Sequence, residues 1–346
     1  MSHADGDDHD IETDAPHPRR TTGFFGHQEA EAAILESYRS GRVPHAWLIG
    51  GISGIGKATL AYRFARFALA YPDPAAESVQ AAKSLAVDPG HTIARRVAAQ
   101  GHPDLFVLER TIGDTGRLRS VVTVDQVRKT VPFFGSTAGE GGWRIVIVDA
   151  VDELNAEGEN ALLKLLEEPP AKALLLLVTH TPGRVRATLK SRCRRLSLRP
   201  LSADDIAHAA AAALGTPESE LRVAAEAADG SVARAIALLD GDALKFRDRV
   251  TALLDRLPDI DARALHALGD AMGFADQKAF EGFIDTLNDW MSTRLRNGPQ
   301  DAAHLARIAD AWQRINRAAA DAEAFNLERR PIIFDAFGAL AEAARR

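Results

Sequence analysis

Short apolar runs, each leading into a glycine, an acid or a polar turn, dominate the first two hundred positions. Residues 46–49, 105–108, 145–148 and 174–178 are such runs, and an unbroken apolar stretch of this length marks a strand buried on both faces. Leu196 and Leu198 suggest a fifth strand. Between the runs the spacing becomes helical. Residues 28–40 read as a helix, Leu60, Phe64 and Phe67 recur on one face, and 160–168 read as a helix stopped by Pro169-Pro170. Thr123 and Gln126 stand at capping-box spacing. Strands alternating with helices predict a parallel sheet covered on both faces. Past Pro200 the texture changes: Ser202 and Asp205 open a helix, and from there to Arg346 the chain is rich in Ala and Leu with almost no strand pattern. The expected organisation is an α/β domain over 23–199, a small helical unit over 200–242 and an all-α domain over 243–346. Residues 1–22 carry six acids and no apolar cluster and read as a disordered acidic tail. Residues 71–101, rich in Pro, Ala and Asp, read as an insertion.

Composition narrows the class without naming a chemistry. In 346 residues, 46% are apolar and 26% charged, ordinary for a soluble protein of two or three domains. No stretch reaches the roughly 18 apolar residues of a membrane span, and no basic-then-apolar segment reads as a secretory signal. A cytoplasmic location and no membrane partner are expected. The single cysteine, Cys193, excludes an internal disulfide and reads as a small buried apolar residue. A net charge of −6 argues against coating DNA by bulk electrostatics but allows a local basic patch. Arg184, Arg186, Lys190, Arg192, Arg194, Arg195 and Arg199 form one, with no acid among them. The histidines show no metal-ligand spacing.

The sharpest chemistry lies between the first strand and the helix after it. Gly51, Ser53, Gly54, Ile55, Gly56 and Lys57 fit a phosphate-binding loop, G-x4-G-K. Its glycines let backbone N–H groups converge on phosphate oxygens at a helix N-terminus, and the lysine supplies charge. The next residue is Ala58 where such loops place a metal-binding hydroxyl. Thr59 comes one residue late, about 100° around the helix. Asp149, ending the strand at 144–149, stands where a second acidic motif would place a carboxylate near the metal. Its successor is Ala150, where an active ATPase would carry the glutamate that activates water. Two separate losses point to impaired hydrolysis, with ATP or ADP binding still possible.

Further segments resemble the clamp-loader family of AAA+ proteins, and within it the delta-prime branch of bacterial DNA polymerase III. Gly26-His27-Gln28 and the segment 44–48 look like the family's approach to its P-loop. The run 160–170, N-A-L-L-K-L-L-E-E-P-P, matches a family segment almost residue for residue, and Ser191-Arg192-Cys193 is its S-R-C motif. The resemblance implies a P-loop AAA+ domain, a helical lid and an all-α collar. It further implies that Thr179 is a sensor near the gamma-phosphate, that Arg234 is a second sensor, and that Arg192 reaches a neighbouring subunit's ATP site. The segment from Asn326 to Arg330 looks like the end of the collar. Partners implied are gamma/tau-like motor subunits and delta-like subunits, with the sliding clamp and primed DNA reached through the assembled complex. The role implied is in DNA replication, as a subunit of a DNA-directed DNA polymerase holoenzyme whose own ATPase is absent or very weak. The family's four-cysteine zinc module is missing, because 71–104 contain no cysteine and His91 and His102 cannot replace four thiolates; no zinc is expected. Two alternatives stay open: an ATPase in its own right using Asp152 or Glu153 as base, and a purely structural subunit in which Arg192 is idle.

Overall fold

The structure, a computed structural model, describes residues 15–111, 121–135, 142–239, 241–273, 277–297, 301–325 and 327–345. The acids at positions 5–14 and Asn326 lie outside them. The chain divides into two compact units, one ending at Ile236 and one beginning at Ala237.

In the first unit the expected α/β pattern is present. In chain order it runs α1 (Gln28–Arg39), β1 (Ala46–Gly50), α2 (Lys57–Ala70), α3 (Glu77–Ala81), α4 (Thr92–Ala98), β2 (Leu105–Glu109), α5 (Val124–Arg128), α6 (Thr130–Gly135) and β3 (Arg144–Asp149). It continues with α7 (Ala156–Glu167), β4 (Ala173–Thr179), α8 (Ala187–Lys190), β5 (Arg194–Ser197), α9 (Ala203–Leu214), α10 (Glu218–Ala227) and α11 (Val232–Ala237). The five strands pair in parallel in the order β2-β3-β4-β1-β5. The central strands are apolar throughout because both faces are covered. Ile49, Ile145, Ile147, Leu174, Leu176 and Val178 belong to the core that α1 and α2 complete. Their strand neighbours Leu48, Val146, Val148, Leu175 and Leu177 face the opposite way, toward Leu162 and Leu166 of α7. Because all the strands run parallel, their C-terminal ends share one edge, where the P-loop begins.

Helix starts follow local chemistry. Gln126 Oε1 accepts from Thr123 N at 2.9 Å, Asn155 Oδ1 accepts from Gly158 N at 2.8 Å, and Ser202 Oγ accepts from Asp205 N at 3.1 Å. Each meets an N–H that the first helical turn leaves without a partner.

Three features depart from the sequence expectation. Residues 15–22, assigned to the disordered tail, are packed: Arg66 Nη2 and Arg63 Nη1 each donate at 2.6 Å, to the carbonyls of Thr21 and Thr22. The His17 ring meets Tyr62 edge-on, and Arg19 is buried. Composition alone misses this, because the partners lie on α2. The insertion, expected without a zinc module to be held by packing alone, is held by polar ties as well. Val79, Leu85, Ile93 and Val97 join the core beside α2. Buried Glu31 accepts from Leu85 N at 2.8 Å and from Arg63 Nε at 2.6 Å. Last, Gly241 and Asp242 open α12, so the expected boundary at 242/243 falls inside that helix.

The second unit consists of α12 (Gly241–Leu254), α13 (Ala262–Gly273), α14 (Gln277–Asn297), α15 (Ala302–Phe325) and α16 (Arg329–Ala344). Its core includes Val250, Leu254, Met272, Phe283, Leu287, Ile315, Ile333 and Phe337.

Candidate functional site

The loop between β1 and α2 owes its shape to glycine. Gly51, Gly54 and Gly56 all have positive φ, at 155°, 74° and 93°, a region that side-chain-bearing residues rarely adopt. The turn delivers Lys57 at the first position of α2, with its side chain buried. Lys57 Nζ donates back to the Ile52 carbonyl inside the loop. His27, buried just before α1, donates from Nε2 to the Ile55 carbonyl at 3.0 Å; burial lowers its pKa. The Gly-His-Gln segment thus supports the loop from below, a role the sequence signalled only by position.

Asp149 ends β3 beside Lys57. Burial raises its carboxyl to about 6, against the pull of the Lys57 ammonium, with Glu109 adding to the rise. Burial equally lowers Lys57 to about 8, opposed by Asp149 and Asp152. Ala58 has no hydroxyl to offer a metal, and Ala150 is 1% exposed in the core.

The acids that could stand in for a missing base are engaged elsewhere. Asp152 lies in a one-turn helix at 151–153, not at the start of α7. Its two carboxylate oxygens each accept from His180 N at 3.2 Å, and Oδ2 accepts from Thr181 N at 3.0 Å. It thereby ties down the loop that follows β4. His180 sits at about 4, lowered first by burial and then by Lys57 and Arg110. Glu153 pairs with Arg110 at 3.0 Å, and burial raises its pKa.

Thr179, fully buried at the end of β4, accepts from Gly51 N at 3.3 Å through its carbonyl. Its Oγ1 accepts from Thr181 N at 3.2 Å. Arg234 arrives from the far side on α11. The helix start that carries it is docked on the loop, with Val232 N and Ala233 N donating to the Gly54 carbonyl at 3.0 and 3.3 Å. Arg234 Nη1 lies 3.4 Å from Asp229 Oδ2.

The P-loop, Asp149, Thr179 and the helix bearing Arg234 are therefore brought to one place. Arg192 is not among them. It follows α8 on a partly exposed corner, where Nη2 lies 2.8 Å from Glu167 Oε1 and Nη1 donates to the Thr188 carbonyl at 3.0 Å. Cys193 beside it is half-buried, and burial pushes its thiol up to about 11. Of the basic run, Arg186 pairs with Glu159 at 2.8 Å, and the Arg194 guanidinium lies 5.2 Å from the centroid of the Trp47 ring.

Among the described residues no group of three or more His, Cys, Asp or Glu is placed to hold a metal. No described helix is long and apolar enough to cross a membrane.

Residues 26–202 match the family model described as DNA polymerase III, delta subunit. The DNA polymerase III subunit delta' of Pseudomonas aeruginosa is 38% identical over 149 residues, 43% of this chain and 41% of that one. The Escherichia coli subunit delta' is 32% identical over 222 residues, 64% of this chain and 62% of that one. The DNA polymerase III subunit tau of Salmonella typhimurium is 28% identical over 275 residues, 74% of this chain and 39% of that one. The chain thus spans between 39% and 62% of the length of these relatives.

Proposed function

The chain belongs to the family of DNA polymerase III delta subunits, and from that premise we propose that it serves DNA replication as a non-motor subunit of a clamp loader. In this role it contributes Arg192 to the ATP site of an adjacent motor subunit and does not turn over ATP itself. The complex would place a ring-shaped clamp on primed DNA, in the cytoplasm. Its own unit from 237 onward would join the collar, with 200–236 as the lid.

One observation carries the reading: the chain's own site is satisfied from within. The Gly54 carbonyl takes two lid amides, Lys57 folds onto the Ile52 carbonyl, and Asp152 and Glu153 are held by backbone amides and by Arg110. An ATPase using Asp152 or Glu153 as base would have to break those ties. A nucleotide here would meet Lys57 and the loop amides as binding groups, with Asp149 near the metal. The hydroxyl at 58 and the glutamate at 150 are missing, and these are the groups that hold a metal and orient water.

A guanidinium on an exposed corner can neutralise the charge that develops on a transferring phosphoryl group. In GTPases such an arginine is worth roughly 10³–10⁵ in rate; in a complex with several ATP sites the total loss is smaller. The isolated chain is expected to hydrolyse ATP at background rate. In a reconstituted complex Arg192→Ala should preserve assembly and lower DNA-stimulated ATPase and clamp loading. Arg192→Lys should rescue poorly, since an ammonium lacks the planar fork. Wild-type loading by the alanine variant would favour the purely structural role, and robust turnover by the isolated chain would overturn the non-motor reading.

A further inference from the structure

The corner that carries Arg192 is tied to α7 at two points. Arg186, just ahead of α8, places Nε 2.8 Å from Glu159 Oε2 and donates from Nη1 to Asn160 Oδ1 at 3.2 Å. That pair anchors the segment near the start of α7. At the other end of the same helix, Glu167 Oε1 lies 2.8 Å from Nη2 of Arg192 itself. Positions 159 and 167 are about two turns apart and so lie on one side of α7. Glu167 is the last residue of α7, and Pro169-Pro170 beyond it stop the helix there. The free carbonyls of a helix C-terminus also favour a nearby cation.

We propose that Glu167 parks Arg192: its carboxylate holds the guanidinium and cancels its charge in the free subunit, and gives way when a neighbour presents the triphosphate of ATP. The inference rests on Arg192 acting in trans. The geometry suits a releasable hold. The side chains are 35% and 50% exposed for Arg192 and Glu167, a condition under which an ion pair is weak. A gamma-phosphate offers more negative charge and several oxygens, and can take the guanidinium through two parallel N–H donors. The Nη1 bond to the Thr188 carbonyl can hold the guanidinium at this corner while the carboxylate leaves. Glu167 is thus a positioning residue whose effect runs through Arg192.

The test uses reconstituted complexes containing the full chain, with steady-state ATPase measured against ATP concentration for wild type, E167Q, R192A and the double variant. Parking costs binding and transition state alike, so its removal should appear in KM and not in kcat. E167Q is expected to assemble normally and to lower the KM for ATP about two- to five-fold with kcat unchanged. In the R192A background the substitution should do nothing. A purely structural lesion would instead lower kcat or assembly. A wild-type KM in E167Q, a fall in kcat like that of R192A, failed assembly, or an E167Q effect surviving without Arg192 each overturns the proposal. An R192A complex with wild-type ATPase would sink the trans-acting arginine itself, whereas an impaired R192A with an unaltered E167Q would sink only the parking role.

Discussion

Asp149 and Lys57 share a place that suits neither charge. Burial lifts the carboxyl from 3.8 to about 6 and lowers the ammonium from 10.5 to about 8, although each favours the other's charged form. The sign for Asp149 follows from linkage. Below 3.8 both folded and unfolded chains hold the proton and nothing is lost. Between there and about 6 the unfolded chain ionises first, so stability falls as pH rises; above about 6 the loss is constant. Asp149→Asn keeps the shape and removes the ionisation. Two pKa units correspond to about 3 kcal/mol, but the variant also leaves Lys57 without its counter-charge. The asparagine variant should therefore gain on wild type between about pH 4 and pH 6 and keep a lead of about 1–2 kcal/mol above that. Urea unfolding of both proteins across this range measures it, and a lead that grows as pH falls would contradict the account.

At the scale of elements, the decisive contact is the start of α11 on the P-loop. Gly54, at φ 74°, has no room for a side chain: a Cβ there would run into Ser231 Oγ and come within 2.7 Å of Ala233 Cβ. Gly54→Ala should cost about 1–3 kcal/mol, from backbone strain and from pushing the lid off the loop. Gly183→Ala is the control, since a Cβ at that position meets nothing within 4 Å, and it should stay within about 0.5 kcal/mol of wild type. Thermal unfolding gives the difference, and limited proteolysis should show the chain around 228–236 opening only in the Gly54 variant. The elements themselves were legible because their signals are local. Strands expected at 105–108 and 174–178 lie at Leu105–Glu109 and Ala173–Thr179, and the P-loop helix starts at the motif lysine. Contacts between distant segments were not legible. Nothing around Gly54 names Val232 as a partner, and nothing in the acidic composition of 1–22 anticipates Arg63 and Arg66 holding residues 21 and 22. The fifth strand shows the same limit. The leucines at 196 and 198 flagged it, but pairing of Trp47 with Arg194 through Gly50 with Ser197 sets its bounds at Arg194–Ser197.

On the scale of the whole molecule, the question is what each unit can do alone. The apolar clusters divide cleanly along the chain: three are drawn from residues up to Ile236 and one from Val250 onward. A unit that holds its own core can fold without the other. Removing residues 240–346 should therefore leave a protein that unfolds cooperatively and keeps the helix and strand signals of an α/β domain. The second unit is built differently. Its α14 and α15 run for 21 and 24 residues, about 30–36 Å each, and Phe325 and Leu327 at the end of α15 are 72% and 50% exposed. Large apolar side chains left in water at the tip of a long helix are what a protein partner covers. Under the proposed role, the truncated chain should stay folded yet fail to co-elute with motor and delta-like subunits on gel filtration. Phe325→Ser in the full chain should weaken assembly without lowering the midpoint of unfolding, because the ring is already in solvent. Normal assembly by the truncated chain would place the subunit contacts on the α/β unit instead and remove the collar role from the second.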